Sequence, residues 1–333
     1  MSVLPTGWRE RALKELPQRW DIIVVGGGIS GAGIAREAAR VGQRVLLLER
    51  ADFASGSSSK SSKMVHGGLR YLAEKELELV RTSVRERQRL LREVPGLVDT
   101  LPFAFTDYSF QEFSRRMFRW GLRAYDLMAR ARSSRYLQAD QTRALAPRLL
   151  AEGLKGSFAY NDAGTDDARL VMRVLFEAIE DGAWALNYVC AESPLKGDDG
   201  QVHGLRVRDT QSGEHHDIQA KLVINATGAW SDGLRKGVGV DPQMRPLRGT
   251  HITVPRTLLP VEGCITFMHP QDSRPVFVRE WEGATVIGTT DVDHGNDLAL
   301  EPHATPQEVD YLRSGVAMFF PHVPLDDESI CST

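Results

Sequence analysis

The run Asp21-Ile-Ile-Val-Val25 passes directly into Gly26-Gly27-Gly28-Ile29-Ser30-Gly31-Ala32-Gly33, and few folds admit that junction. A short, β-branched apolar run reads as a buried strand. Ile34 to Val41 then reads as a helix that Gly42 ends, and Val45-Leu-Leu-Leu48 is a second buried strand stopping at Glu49. Strand, glycine-rich turn, helix and strand within about 30 residues form a β-α-β unit, the opening of a doubly wound parallel sheet.

Gly26, Gly28 and Gly31 fill the spacing GxGxxG. The first permits a tight turn, the second lets backbone approach a pyrophosphate, and the third lets helix pack on strand. The helix start offers N–H groups and the positive end of a dipole to phosphate. Glu49, 21 residues after Gly28, can accept both ribose hydroxyls of an adenosine and argues against a 2′-phosphate. NAD and FAD share this pattern, so it does not choose between them.

The chain has 333 residues, room for about two domains. Hydrophobic residues at 42% and charged residues at 26% exclude a disordered chain or a fibre. A net charge of −3 gives no general reason to expect nucleic acid as a partner. It conceals an asymmetry: residues 1–150 carry 26 Lys and Arg against 16 Asp and Glu, and the remainder carries 15 against 28. Cys190, Cys264 and Cys331 form no CxxC pattern, so a disulfide framework is excluded, no metal site is expected, and a reducing cytosol is the simplest setting. Met1 to Trp20 has no long apolar run and does not read as a signal peptide, and nowhere do 18 apolar residues follow one another.

Further along, residues 73–93 read as an exposed helix. Phe110, Phe113, Met117, Trp120, Ala124 and Leu127 recur at helical spacing with Arg115, Arg116, Arg119 and Arg123 between them. Asp166 to Asp181 reads as an amphipathic helix with Asp166 or Asp167 as N-cap and Gly182 at its end. Residues 183–220 suggest a β-meander turning at Asp198-Asp199-Gly200 and Gln211-Ser212-Gly213. Lys221–Asn225 reads as a separate buried strand, and 248–255 and 275–292 as antiparallel strands, the latter folded at Glu282-Gly283.

The choice of nucleotide comes from Ser55-Gly56-Ser57-Ser58-Ser59-Lys60-Ser61-Ser62-Lys63, which starts six residues after Glu49 and runs into Met64-Val65-His66-Gly67-Gly68-Leu69-Arg70-Tyr71. With GGGISGAG ahead of it, this stretch resembles the FAD-dependent glycerol-3-phosphate dehydrogenases, a branch of the D-amino-acid-oxidase-like flavoproteins. Thr165-Asp166-Asp167-Ala168-Arg169-Leu170, Asn225-Ala226-Thr227-Gly228-Ala229-Trp230, Arg248-Gly249-Thr250-His251 and Ile287-Gly288-Thr289-Thr290-Asp291 follow in the same order. The resemblance implies FAD as cofactor, held by Gly26, Gly28, Gly31, Glu49, Ser57, Ser58, Ser61, Ser62, Lys63, His66, Gly67, Gly68, Thr227 and Gly228. It implies an α/β fold of glutathione-reductase/DAO type, in which a Rossmann-like FAD-binding domain (20–100 and 150–235) is interleaved with an antiparallel-sheet substrate domain (101–149 and 236–333).

The implied reaction is oxidation of sn-glycerol 3-phosphate to dihydroxyacetone phosphate by hydride transfer from C2 to flavin N5, with electrons passed to quinone. Arg70 and Tyr71 are the implied substrate contacts, with Arg274 as a second phosphate cation, since arginine's planar fork suits phosphate. His66 and His251 are the candidate bases, with Arg70 in the catalytic set; imidazole titrates nearest neutral pH. Asp291 is read either as orienting a loop near the flavin or as a plain turn residue. The 110–135 segment either packs on its own domain or meets an anionic membrane surface, with arginines 81, 85, 87, 89 and 92 extending the basic face. The expected location is the cytoplasm or the cytoplasmic face of the membrane, and a homodimer is compatible with the resemblance. Neither a (W/Y)xGxRPL segment nor a Gly-Gly-Lys-Leu-Thr-Thr-type loop precedes Thr333, so the chain reads as C-terminally truncated against the family pattern. A non-catalytic flavin-binding remnant, or an oxidase of an amino or 2-hydroxy acid, are the alternatives.

Overall fold

The computed structural model describes residues 6–69, 71, 76–111, 114–295 and 297–333. Two compact units form, each from two stretches of chain: Met1–Ser61 with Asp166–Pro246, and Ser62–Thr165 with Leu247–Thr333.

In the first unit, strands Trp184–Leu186, Val45–Leu48, Trp20–Val25 and His215–Asn225 lie side by side in parallel. Side chains alternate across this sheet with the strand period of two. Val24, Val45 and Leu47 meet Ala32, Ala35 and Ala39 of helix Ile29–Arg40 and Val171, Leu175 and Ala178 of helix Asp167–Glu180. Ile23, Leu46 and Leu48 face the other way, against Ala12 and Leu16. Burial on both faces explains why the central strands are uninterrupted apolar runs. Asp166 is the N-cap of the second helix, accepting from the Arg169 N–H, and Gly182 follows its end at φ 104°.

One expectation needs correcting. Lys221–Asn225 is not a separate buried strand but the second half of His215–Asn225. That strand pairs antiparallel with Val202–Asp209 as far as Gln219, then parallel with Trp20–Val25 from Ala220. Its Leu222 is 50% exposed, because nothing among the described residues covers that part of the strand.

The second unit is built on a mostly antiparallel sheet. Its strands run in the order His251–Pro255, Ala284–Gly288, Pro275–Trp281, Cys264–Met268, Val98–Tyr108, Leu154–Thr165 and Met64–Val65. The hairpin at Glu282-Gly283 has both residues at positive φ (46° and 83°), the twist that suits two-residue β-turns. On one face, Leu312, Val316 and Phe319 of helix Pro306–Phe319 pack on Ile252, Ile265, Phe267 and Ile287. On the other, Val80 and Val84 of helix Leu77–Glu93 and Leu122, Tyr125 and Ala129 of helix Arg115–Ala129 cover Phe103, Phe105, Phe158 and Tyr160.

Residues 62–100 and 150–165, read in the sequence as nucleotide domain, therefore pack in the second unit. The reason is that Val98–Tyr108 and Leu154–Thr165 are paired along their whole length. Two further corrections concern charge and apolar surface. Arg87 is not on a solvated basic face; it is 2% exposed and ion-paired with Asp162. In helix Arg115–Ala129 the inward side is Leu122, Tyr125 and Ala129, whereas Met117, Trp120 and Leu127 are 73%, 68% and 80% exposed. Phe110 precedes that helix and stacks on Tyr108, and Phe113 lies outside the described residues.

Candidate functional site

The residues expected to hold a nucleotide gather at one end of the first unit's parallel strands. Gly26 sits at φ 112°, and a Cβ there would run into the Ala226 carbonyl. A Cβ on Gly31 would overlap the Gly26 carbonyl, so helix and turn meet at a distance that only glycine allows. Helix Ile29–Arg40 has Gly28 as N-cap and no side-chain cap of its own. The Ser58 hydroxyl instead accepts the Ile29 N–H at 3.0 Å, an oxygen seated where a phosphate oxygen would be received. Ser57 and Ser58 lie in the short 3-10 turn Ser57–Ser59.

Glu49 is pinned by two backbone donors, Gly27 N–H to Oε2 at 2.7 Å and Ala51 N–H to Oε1 at 2.9 Å. Each carboxylate oxygen keeps a second acceptor site, enough for two ribose hydroxyls. Thr227 gives its hydroxyl and N–H to Asn225 Oδ1 (2.7 and 3.2 Å), and Gly228 turns the chain at φ 58°. Beside them, the Arg50 guanidinium lies 4.4 Å from the Trp230 ring centre. A helix start met only by the Ser58 hydroxyl, a glycine turn with no room for side chains and a fixed acid fit an adenine dinucleotide. Ser61 is tied down by Asp167, which accepts its N–H (3.0 Å) and hydroxyl (2.6 Å).

The second unit holds the other predicted residues. The Ser62 hydroxyl meets His251 Nε2 at 2.8 Å, and the Lys63 carbonyl accepts the Thr165 N–H at 3.0 Å. Burial, and then the charges of Lys63 and Arg279, push the His251 pKa down to about 4, so its ring is neutral near pH 7. Gly67 is buried, its N–H given to Asp162 Oδ1 at 3.0 Å, and a Cβ there would strike the Tyr125 hydroxyl. His66 is exposed, with its ring 6.3 Å from that of Tyr71. Gly68 turns the chain at φ 78°. Arg70 lies outside the described residues. Arg274 is bound to Asp291 at 2.9 Å, with Asp272 at 3.5 Å, so its charge is already met by carboxylates.

Four residues escaped the sequence reading. Asp162 anchors Gly67 and is itself held by Arg87 and by the Tyr125 hydroxyl at 2.6 Å. Glu308 accepts from Arg248 Nη2 (2.6 Å), Thr250 (2.8 Å) and Thr290 (3.1 Å), fixing the segments either side of His251 and Gly288. Burial would raise the Glu308 pKa, but Arg248, Thr250 and Thr305 outweigh it and hold it to about 2. Thr305-Pro-Gln-Glu308 is a capping-box spacing, so Glu308 had a visible local signal. Asp162, Tyr125 and Arg279 had none.

One unit carries a turn and acid shaped for a dinucleotide, and the other is a mostly antiparallel sheet carrying a histidine and arginines; these are the parts of a flavin-dependent oxidoreductase. The family model described as FAD dependent oxidoreductase (DAO) matches residues 21–332, and the chain belongs to that family, whose cofactor is FAD. It is 35% identical over 321 residues to the aerobic glycerol-3-phosphate dehydrogenase of Staphylococcus haemolyticus, covering 95% of this chain and 58% of that one. Identity to the alpha-glycerophosphate oxidase of Enterococcus casseliflavus is 38%, covering 92% and 52%. The structure of the glycerol-3-phosphate dehydrogenase of Bacillus halodurans, complexed with FAD, is 31% identical with a TM-score of 0.79, covering 97% and 57%. The chain thus spans a little over half the length of these relatives.

Proposed function

We propose that this chain carries the FAD-holding and base-bearing part of an oxidoreductase that converts sn-glycerol 3-phosphate to dihydroxyacetone phosphate, with quinone as electron acceptor. The supporting observation is the 35–38% identity to two glycerol-phosphate oxidising enzymes, which runs over both packing units. FAD, when bound, supplies the two-electron acceptor that takes the C2 hydride at flavin N5.

The remaining steps belong to the chain's own groups. Glu49, the glycine turn and the start of helix Ile29–Arg40 bind the nucleotide. His251, neutral and hydrogen-bonded to Ser62, has a ring nitrogen able to take the C2 hydroxyl proton. With a pKa of about 4 it is a weak base in the free chain. A bound phosphate dianion beside Lys63 and Arg279 offsets their charges and raises its basicity. Substrate binding thereby prepares its own base. His66, exposed on the loop fixed by Asp162, serves substrate contact together with Tyr71 and Arg70.

The exposed Met117, Trp120 and Leu127, flanked by arginines, support attachment to an anionic membrane at its cytoplasmic face, where quinone is found. No helix among the described residues is long and apolar enough to cross a membrane.

Mixing the FAD-loaded chain with sn-glycerol 3-phosphate without oxygen tests this reading. Loss of flavin absorbance near about 450 nm supports it. A flavin that binds but stays oxidised leaves a non-catalytic flavin-binding chain, and bleaching by an amino or 2-hydroxy acid alone replaces the substrate.

A further inference from the structure

Arg279 stands in the strand Pro275–Trp281 and is 4% exposed. Its Nε points to the Glu280 carbonyl at 3.3 Å, and its Nη1 to the carbonyls of Ser62, at 3.1 Å, and Lys63. All of these acceptors are neutral. Among the described residues it has no carboxylate within ion-pair distance, and its Nη2 makes no hydrogen bond. The other deeply set arginines of the same unit differ: Arg87 has Asp162, and Arg248 has Glu308. A guanidinium cannot shed its proton to escape burial, so an interior without a counter-charge is a costly place for it.

Its surroundings indicate where the missing counter-charge goes. Ser62 touches two groups at once, with its hydroxyl on His251 Nε2 and its carbonyl on Arg279 Nη1. Imidazole and guanidinium therefore flank a single residue. Gly164 stands beside the unused nitrogen; a Cβ there would lie 3.3 Å from Nη2, so a larger residue would crowd that edge of the fork. Lys63 follows Ser62 and adds a second positive charge to the same segment.

We propose that Arg279 is an anion-recognition residue whose Nη2 edge receives a phosphate oxygen of the substrate beside His251. This rests on the glycerol-phosphate reading above and assigns the phosphate contact to a buried arginine. The exposed Arg274 already has its carboxylates.

The test compares Arg279→Gln, Arg279→Met and Arg279→Lys in the full FAD-loaded chain. Calorimetric titration uses sn-glycerol 3-phosphate, inorganic phosphate and glycerol. Gln keeps an uncharged amide donor and Met keeps none, so comparing the two separates the loss of charge from the loss of a polar contact to backbone. The expected result is that Gln and Met weaken both phosphate-bearing ligands by about 30- to 100-fold, the loss of one charge-assisted contact, and leave glycerol and FAD affinity unchanged. Lys, with the charge restored but not the fork, recovers part of the loss. A Gln variant binding glycerol 3-phosphate within threefold of the parent overturns the proposal, as does equal loss of glycerol or FAD. A parent chain that binds inorganic phosphate through Arg279 but ignores glycerol 3-phosphate keeps the anion site and overturns the substrate reading. A parent that binds neither overturns both.

Discussion

The two loops that carry the proposed nucleotide and substrate contacts are built by opposite strategies. The nucleotide turn is mostly local: Gly26, Gly28, Gly31 and Glu49 lie within one β-α-β unit, where Gly31 packs on the Gly26 carbonyl and Glu49 accepts the Gly27 N–H. The His66-Gly67-Gly68 loop is assembled at long range. Its fixed point is the Gly67 N–H on Asp162, and that carboxylate is held by Arg87 and Tyr125 from two different helices. Ser62, just ahead, meets His251 almost 190 residues later. A local device tolerates change around it and fails abruptly when its backbone geometry is filled. A distributed one loses function by degrees as its partners are removed.

The largest effect is therefore expected in the local device. Gly31→Val places carbon atoms on the Gly26 carbonyl, a clash that no side-chain rotation relieves. The first unit should lose FAD binding and more than about 3 kcal/mol of stability, read by urea melts and flavin retention. Asp162→Ala should follow, at about 3–5 kcal/mol, because it strands the Arg87 guanidinium in the interior. Tyr125→Phe, which leaves Asp162 its other partners, should cost only about 1 kcal/mol. Equal losses from Asp162→Ala and Tyr125→Phe would show the loop is not hung from the carboxylate.

The same contrast explains what the sequence disclosed. The parallel core was readable because Ile23–Val25 and Val45–Leu48 bury both faces, which leaves a run of apolar residues, and because GxGxxG encodes its own contacts. Helix Asp167–Glu180 was readable from its cap, although Asp167, a candidate for that cap, instead holds Ser61. Arg87 was misread because a basic residue on a helix rich in Arg and Glu looks solvated until Asp162 is brought to it by strand pairing. Arg279 could not be found at all. Its meaning comes from having no carboxylate within ion-pair distance among the described residues, and absence in space leaves no mark on spacing.

The intermediate effect is electrostatic. His251 ordinarily titrates at 6.5, and burial together with Lys63 and Arg279 brings it to about 4 in the folded chain. Between those values the unfolded chain binds a proton that the folded chain refuses. The contribution is thus fully present above about pH 6.5 and is lost as pH falls toward 4. Comparing the parent with His251→Asn isolates it, with an expected difference on the order of 1–3 kcal/mol between pH 7 and pH 4.5. Arg279→Gln should move the His251 midpoint upward, measured from the imidazole proton resonances. An unmoved midpoint would mean the two groups do not share a site.

The smallest effect on stability should come from the face that neither device uses. Trp120 is 68% exposed, between Met117 and Leu127, and the Arg123 guanidinium lies 5.3 Å from its ring centre. Trp120→Glu therefore leaves the core contacts of Leu122 and Tyr125 intact and should change unfolding by no more than about 0.5 kcal/mol. Its effect on membrane attachment should be large by comparison, because it removes an interfacial aromatic and opposes the arginines that attract anionic headgroups. Co-sedimentation with phosphatidylglycerol vesicles measures this: the parent should bind and the variant should not, with both released by high salt from whatever binding persists. Equal binding of the two proteins would return the helix to an ordinary solvated face and remove the membrane from the proposed function, leaving FAD and substrate binding untouched.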